Sequence, residues 1–147
     1  MTEKTVKVLC PTDGSKSSEK AIKFAINMAN NFSNVELSFI LISSGDDTAT
    51  DIAYRGAQVI RASQVQEHME LDAACNMAKE GGIDNPQCSI EHGSRNIAAS
   101  IIAYADEGKF DQIVMGSTGR TGVARLLLGS VASEVVAKAH CPVTVVR

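Results

Sequence analysis

The sequence predicts an α/β fold: a doubly wound, open parallel sheet of five strands with helices on both faces. Three observations point to it. Short apolar, partly β-branched runs alternate with longer stretches whose apolar residues recur at helical spacing, giving the order βαβαβαβαβ. Turns carrying glycine and serine follow the first and fourth of these runs, where a strand hands over to a helix. The chain has 147 residues, 44% hydrophobic and 21% charged, which suits a single domain over residues 1–147. A chain of this size buries roughly 70% of its unfolded surface and needs no disulfide or metal to fold.

Each element has its own signal. Val6 to Cys10 is the first strand, and Pro11 to Ser15 is the turn that closes it. A helix follows from about Ser17, with Ala21, Ile22, Ala25, Ile26 and Ala29 on one face. Asn30, Asn31, Ser33 and Asn34 break it, and Val35 to Ile42 is the second strand. Ser43 to about Gly56 is polar and reads as a loop. The next helix spans about Val59 to Lys79. Val65, Met69, Ala73 and Met77 step by four along it, and Gly81 and Gly82 end it. Gln87 to Glu91 is the third strand. After Gly93, Ser94 or Asn96 caps a helix whose stripe is Ile97, Ala98, Ile101, Ile102 and Ala105. Asp111 to Met115 is the fourth strand. Leu128, Val131, Ala132, Val135, Val136 and Ala139 mark the last helix, and Cys141 to Val146 is the fifth strand.

Composition removes several function classes. A net charge of −3 argues against broad attraction to nucleic acid. No run approaches the ~20 apolar residues of a membrane span. The start, MTEKTVKVL, does not read as a signal peptide, so the expected location is cytoplasmic. Cys10, Cys75, Cys88 and Cys141 form no CxxC pair and no metal-ligand spacing. Cys10 and Cys141 lie in apolar runs and read as buried free thiols. His68, His92 and His140 are scattered, with no Ser-His-Asp ordering, and His140 reads as a cation near a helix end. Glu134 and Asp111 read as solvated charges, and Met28, Met69, Met77 and Met115 as core packing.

The stretch that carries chemistry runs from Gly116 to Ser130: GSTGRTGVARLLLGS. It follows the apolar run Ile113 to Met115 and precedes a helix. A glycine-rich turn there lets backbone N–H groups approach an anion, and the helix N-terminus favours negative charge. A phosphate chain suits that geometry; the plain alternative is glycines that only make a tight turn. Arg120 and Arg125 would neutralise phosphate or else sit solvated at the surface. The pattern GxxxxGK[ST] is absent, and the first turn lacks GxGxxG. In open parallel sheets, ligands bind beyond the carboxyl ends of the strands, at the switch point. If strands one and four are neighbours, the first turn and the glycine loop share one crevice.

Gly116, Gly119, Gly129 and Ser130 match Gly-2x-Gly-9x-Gly-(Ser/Thr), the pattern of nucleotide-binding members of the universal stress protein family. The chain resembles that family through VLCPTDGSKSSEKAIKFA near its start and through IVMGSTGRTGVARLLLGSVASEVV and AHCPVTVVR near its end. The middle, roughly residues 43–82, adds little. The resemblance implies strand order 3-2-1-4-5, binding of ATP (or ADP or AMP) with or without Mg²⁺, and a homodimer. Pairing through the apolar last strand, Pro142 to Val146, at a sheet edge would make that dimer.

By the same resemblance, Asp13 lies near the ribose or adenine, and Pro11, Thr12 and the backbone of Ile42 border the base. Met115, Gly116, Thr118 and Gly119, with Gly129, Ser130 and Val131, surround the ribose and phosphates. Many members have His-Val where this chain has Leu41-Ile42, which keeps backbone contacts and removes a side-chain one. Asp13 is alternatively the N-cap of the first helix, and Ser130 that of the last; Ser15 and Ser18 read as first-turn residues. The implied function is a cytoplasmic ATP-binding stress-response or signalling protein whose conformation or assembly responds to nucleotide. At most weak hydrolysis is expected, because no general base stands near the loop. A slow ATPase or phosphotransferase, or a ligand-free dimeric interaction module, are the alternatives.

Overall fold

A computed structural model describes residues 4–43, 62–93, 96–118 and 128–147. The elements in chain order are β1 (Val6–Pro11), α1 (Lys16–Asn31), β2 (Val35–Ser43), α2 (Ala62–Glu80) and β3 (Gln87–His92), then α3 (Ile97–Glu107), β4 (Gln112–Gly116), α4 (Ser130–Lys138) and β5 (Val143–Val146). The start predicted for the second helix, and Ser94, lie outside the described residues. The five strands form one sheet in the order β3-β2-β1-β4-β5, as expected. All pairings are parallel, with Val6 opposite Val35, Leu9 opposite Ile113 and Met115 opposite Val145.

β1 is the central strand, so both of its faces are covered. Val8 and Cys10 point to one side, where they pack with Phe39, Ala21, Ile22 and Ala25 of α1, and Leu71, Ala74 and Ala78 of α2. Leu9 points to the other, with Ile40, Ile113, Ala98 and Ile101 of α3, and Ala132 and Val135 of α4. This two-residue alternation makes strands buried on both faces read as unbroken apolar runs. Each fully buried side chain such as Leu9, Ile40 or Ile113 contributes about 1.5–3 kcal/mol relative to exposure.

Several expectations need correcting. The buried stripe of α2 is Leu71, Ala74 and Ala78, while Val65 and Met69 are 43% and 63% exposed. A step of four overshoots one helical turn by about 40°, so a run of such steps drifts off any face. Met69 is therefore not core packing, although Met115 is buried. Val136 is exposed in the same way. β5 begins only at Val143. Cys10 is buried, and burial pushes its thiol up to about 12, but Cys141 is only partly buried.

The polar ties are also more specific than solvated charges. Asp111 Oδ2 accepts from the Lys7 N–H at 2.9 Å, and the Asp111 N–H donates to the Lys7 carbonyl at 2.8 Å. His140 Nδ1 lies 2.9 Å from Asp106 Oδ2, just past the end of α4. Asn96 caps α3, its Oδ1 accepting from the Ala99 N–H at 3.0 Å. Its Nδ2 donates to Glu134 Oε1 of α4 at 3.2 Å. That bond, followed by one from Lys138, holds the Glu134 carboxyl below its usual value.

Candidate functional site

The first turn is tied by several hydrogen bonds. The Thr12 N–H donates to the Ile40 carbonyl at 2.8 Å and so extends the β1–β2 ladder. The Thr12 and Ser18 hydroxyls are 2.6 Å apart, and both residues are buried. Gly14 has φ +79°, in the left-handed region where glycine is favoured. Ser15, not Asp13, caps α1: its Oγ accepts from the Ser18 N–H at 3.1 Å. Asp13 Oδ1 instead accepts from the Ser15 N–H at 2.9 Å, an Asx turn that fixes the carboxylate over the end of β1.

The end of β4 is fixed by α1. A Cβ on Gly116 would lie 2.5 Å from Ser17 Oγ and 2.7 Å from the Ser17 carbonyl atoms. This glycine therefore lets a helix approach a strand; its place in the motif is set by packing. The Thr118 N–H donates to Ser17 Oγ at 3.1 Å, and the Ser117 N–H to the Val146 carbonyl at 3.1 Å. The Gly129 N–H is taken by the Ser117 carbonyl at 2.6 Å. Gly129 is the N-cap of α4, with no side-chain cap bond, and Ser130 is the first helical residue, not the cap. The opening N–H groups of α4 carry the positive end of the helix dipole, and the glycine at the cap has no side chain to satisfy them.

These two turns face one cavity of about 510 Å³, because β1 and β4 are neighbours. Its volume lies within the range of small-molecule sites. Every residue predicted for the site lines it except Gly119 and Arg120, which lie outside the described residues, as does Arg125. Pro11 ends β1, and Thr12 and Asp13 come from the turn after it; Met115 and Gly116 end β4, and Thr118 lies just past it; Gly129, Ser130 and Val131 come from the start of α4, and Ile42 from β2. Leu41, Ile97 and Ile101 add apolar wall.

Sequence reasoning missed the helix that closes the far side. Gln66, Glu67 and Glu70 of α2 line the same cavity. Glu67 Oε1 accepts from Ser43 Oγ at 3.1 Å, and Gln66 Nε2 donates to Glu70 Oε1 at 3.1 Å. Glu67 and Glu70 stand four residues before the buried Leu71 and Ala74, so the core stripe of α2 turns acidic as it reaches the cavity. That signal exists in the sequence but is readable only once the helical phase is right. Among the described residues, no His lines the cavity, and no group of three His, Cys, Asp or Glu is placed to hold a metal ion.

The chain and its fold have counterparts. The model of the universal stress protein family matches residues 5–147. "Universal stress protein MJ0531" of Methanocaldococcus jannaschii is 38% identical over 142 residues, which cover 96% of this chain and 81% of that one. A universal stress protein solved in complex with cAMP superposes with a TM-score of 0.72 at 26% identity, covering 99% of this chain and 98% of that one. The universal stress protein of Archaeoglobus fulgidus, solved in complex with dAMP, gives 0.66 at 21% identity, covering 97% and 98%. The chain belongs to the universal stress protein family.

Proposed function

We propose that the cavity binds an adenine nucleotide, and that its occupancy favours one conformation or assembly of a cytoplasmic stress-response or signalling protein. The observation that carries this reading is the meeting, in one cavity at the switch point, of an anchored carboxylate and a helix N-terminus without a side-chain cap. The base fits the apolar slot of Ile42, Ile97, Ile101 and Met115, with Pro11 and Thr12 at its border. Asp13 accepts hydrogen bonds from the ribose hydroxyls. The phosphates lie toward Thr118, Ser130 and Val131; Gly119 and Arg120, which follow Thr118 in the sequence, are further proposed phosphate contacts. Relatives solved with cAMP and dAMP support the choice of adenine nucleotide.

ATP is the occupant we infer, with ADP and AMP as shorter variants of the same ligand. Mg²⁺ would enter on the phosphates, since it takes few protein ligands in such sites. Hydrolysis is expected far below the ~1–100 s⁻¹ of kinases. A homodimer through β5 fits the position of that strand at a sheet edge, where all four residues are partly exposed.

Mass spectrometry of nucleotide retained by the purified protein tests the reading directly. Adenine nucleotide is expected. Isothermal titration showing no heat with ATP, ADP or AMP at millimolar concentration would overturn it.

A further inference from the structure

We propose that the acidic side of the cavity admits adenine nucleotides phosphorylated on the 5′ oxygen alone and turns away those with phosphate on the 3′ oxygen, whether free or cyclised. The selectivity rests on the nucleotide reading above. Asp13, Glu67 and Glu70 all line the cavity. Each has one carboxylate oxygen held by a donor. Asp13 Oδ1 accepts from the Ser15 N–H at 2.9 Å, Glu67 Oε1 from Ser43 Oγ at 3.1 Å, and Glu70 Oε1 from Gln66 Nε2 at 3.1 Å. Ser43 is buried at the end of β2, so Glu67 is tied to the sheet. Glu70 is brought against the first turn: a Cβ on Gly14, the residue after Asp13, would lie 2.6 Å from Glu70 Cδ. The turn after β1 and the helix α2, far apart in sequence, thus set their carboxylates along one side of the cavity. No Lys, Arg or His stands among the described residues that line it. The favourable place for an anion is the opening of α4, where Gly129 is the cap.

That division grades the cavity along the ligand. With the ribose hydroxyls on Asp13, the 5′ oxygen points toward α4 and the 3′ oxygen toward the carboxylates. Phosphate on the 3′ oxygen then has two costs. It removes the proton that the 3′ hydroxyl would donate, so a hydrogen bond to a charged acceptor is lost. It also places an anion among fixed carboxylates, where the repulsion falls with distance and with salt. A 3′,5′-cyclic phosphate meets the same two costs, because its ring closes on the 3′ oxygen. A 5′ phosphate meets neither.

The test compares positional isomers. Adenosine 5′-monophosphate and adenosine 3′-monophosphate have the same base, sugar and number of phosphates. Each is titrated by calorimetry into the nucleotide-free full chain at low ionic strength, with 3′,5′-cyclic AMP as the third ligand. The cyclic compound is the demanding comparison, because a relative 26% identical was solved with it.

The 5′ isomer should bind about ten- to a hundred-fold more tightly than the 3′ isomer, as loss of a charged hydrogen bond predicts, and more tightly than the cyclic compound. In the double variant Glu67→Gln with Glu70→Gln the isomer ratio should narrow about two- to fivefold, since Asp13 remains; rising ionic strength should narrow it in the wild type. Isomers that bind within about twofold of each other would overturn the selectivity. So would cyclic AMP that binds as tightly as the 5′ isomer, or a ratio that neither the variant nor salt changes. A chain that binds none of the three, nor ATP, fails the nucleotide reading itself and takes this inference with it. The wild-type ratio and its salt dependence decide the matter even if the double variant fails to fold.

Discussion

The two walls of the cavity are made of different material. On one side, the start of α4 offers the backbone of Ser130 and Val131, with a glycine at the cap, while the Thr118 and Gly129 N–H groups beside it are taken by Ser17 and Ser117. On the other, the first turn and α2 offer carboxylates: Asp13, Glu67 and Glu70. The first wall is the positive end of a helix dipole, and the second carries formal negative charge. A ligand with an anionic tail and a hydroxyl-bearing middle has only one favourable way to lie between them. The difference teaches that, for the nucleotide proposed above, orientation would come from the contrast between walls and not from either motif alone.

The largest expected effect breaks the backbone wall. Gly116→Ala forces a Cβ into the Ser17 backbone, which cannot rotate away as a side-chain tip would. We expect a loss of about 2–3 kcal/mol in urea denaturation, within the range of overpacked sites. At Gly14 the Cβ would meet the flexible Glu70 side chain instead, so Gly14→Ala should cost mainly its positive φ, about 1–2 kcal/mol. If the two substitutions cost the same, close approach of α1 to β4 is not what fixes this wall.

The next effect tests the other wall. Asp13→Asn keeps an oxygen to accept from the Ser15 N–H, so the turn should survive. It removes the charge that strengthens a bond to a ribose hydroxyl. Adenine nucleotide affinity should fall roughly ten- to a hundred-fold by titration, as loss of a charged hydrogen bond predicts. An unchanged Kd with intact folding would remove Asp13 from the ligand.

The two walls also differed in how far they could be read. The strands and the glycine spacing were legible because each leaves a local mark: apolar runs, turn residues, fixed intervals; the strand order was implied only by the family resemblance. The acidic wall was not. Glu67 and Glu70 become visible only when Leu71, Ala74 and Ala78 are known to be the buried face, and the step from Val65 to Met69 points elsewhere. Helical phase in α2 is set by packing against α1 and the sheet, a tertiary fact. Gly116 lines the cavity and also lets Ser17 of α1 approach β4, while Gly129, not Ser130, is the N-cap of α4. The resemblance named residues that do gather at the cavity, but not which neighbour each one serves.

A smaller effect concerns how α4 is held in place. Asn96 caps α3 and also donates to Glu134 of α4. Asn96→Ala should cost about 1 kcal/mol through the lost cap. It should also change the pH profile. The Glu134 carboxyl is held below its usual value by Asn96 first and then Lys138, so its contribution is present above the unfolded glutamate value and lost as pH falls through the lower folded one. Acid titration of stability should therefore be shallower in Asn96→Ala than in the wild type. Parallel curves would mean that Glu134 gains nothing from Asn96.

The smallest effect is the sharpest test of the contrast itself. Glu67→Gln and Glu70→Gln keep shape and hydrogen-bonding atoms while removing charge. If the acidic wall faces the sugar and the helix end faces the phosphates, each change relieves some repulsion of the phosphate tail without touching its donors. The relief grows with the number of phosphate charges, so ATP should gain more than AMP, by about two- to fivefold at low salt. Because the pairs are separated across a wet cavity, the gain should fade as ionic strength rises and the screening length shortens to about 10 Å near 0.1 M. Equal gains for ATP and AMP, or gains that ignore salt, would mean that Glu67 and Glu70 act locally on the base or sugar. The carboxylates would then recognise one end of the ligand instead of orienting all of it.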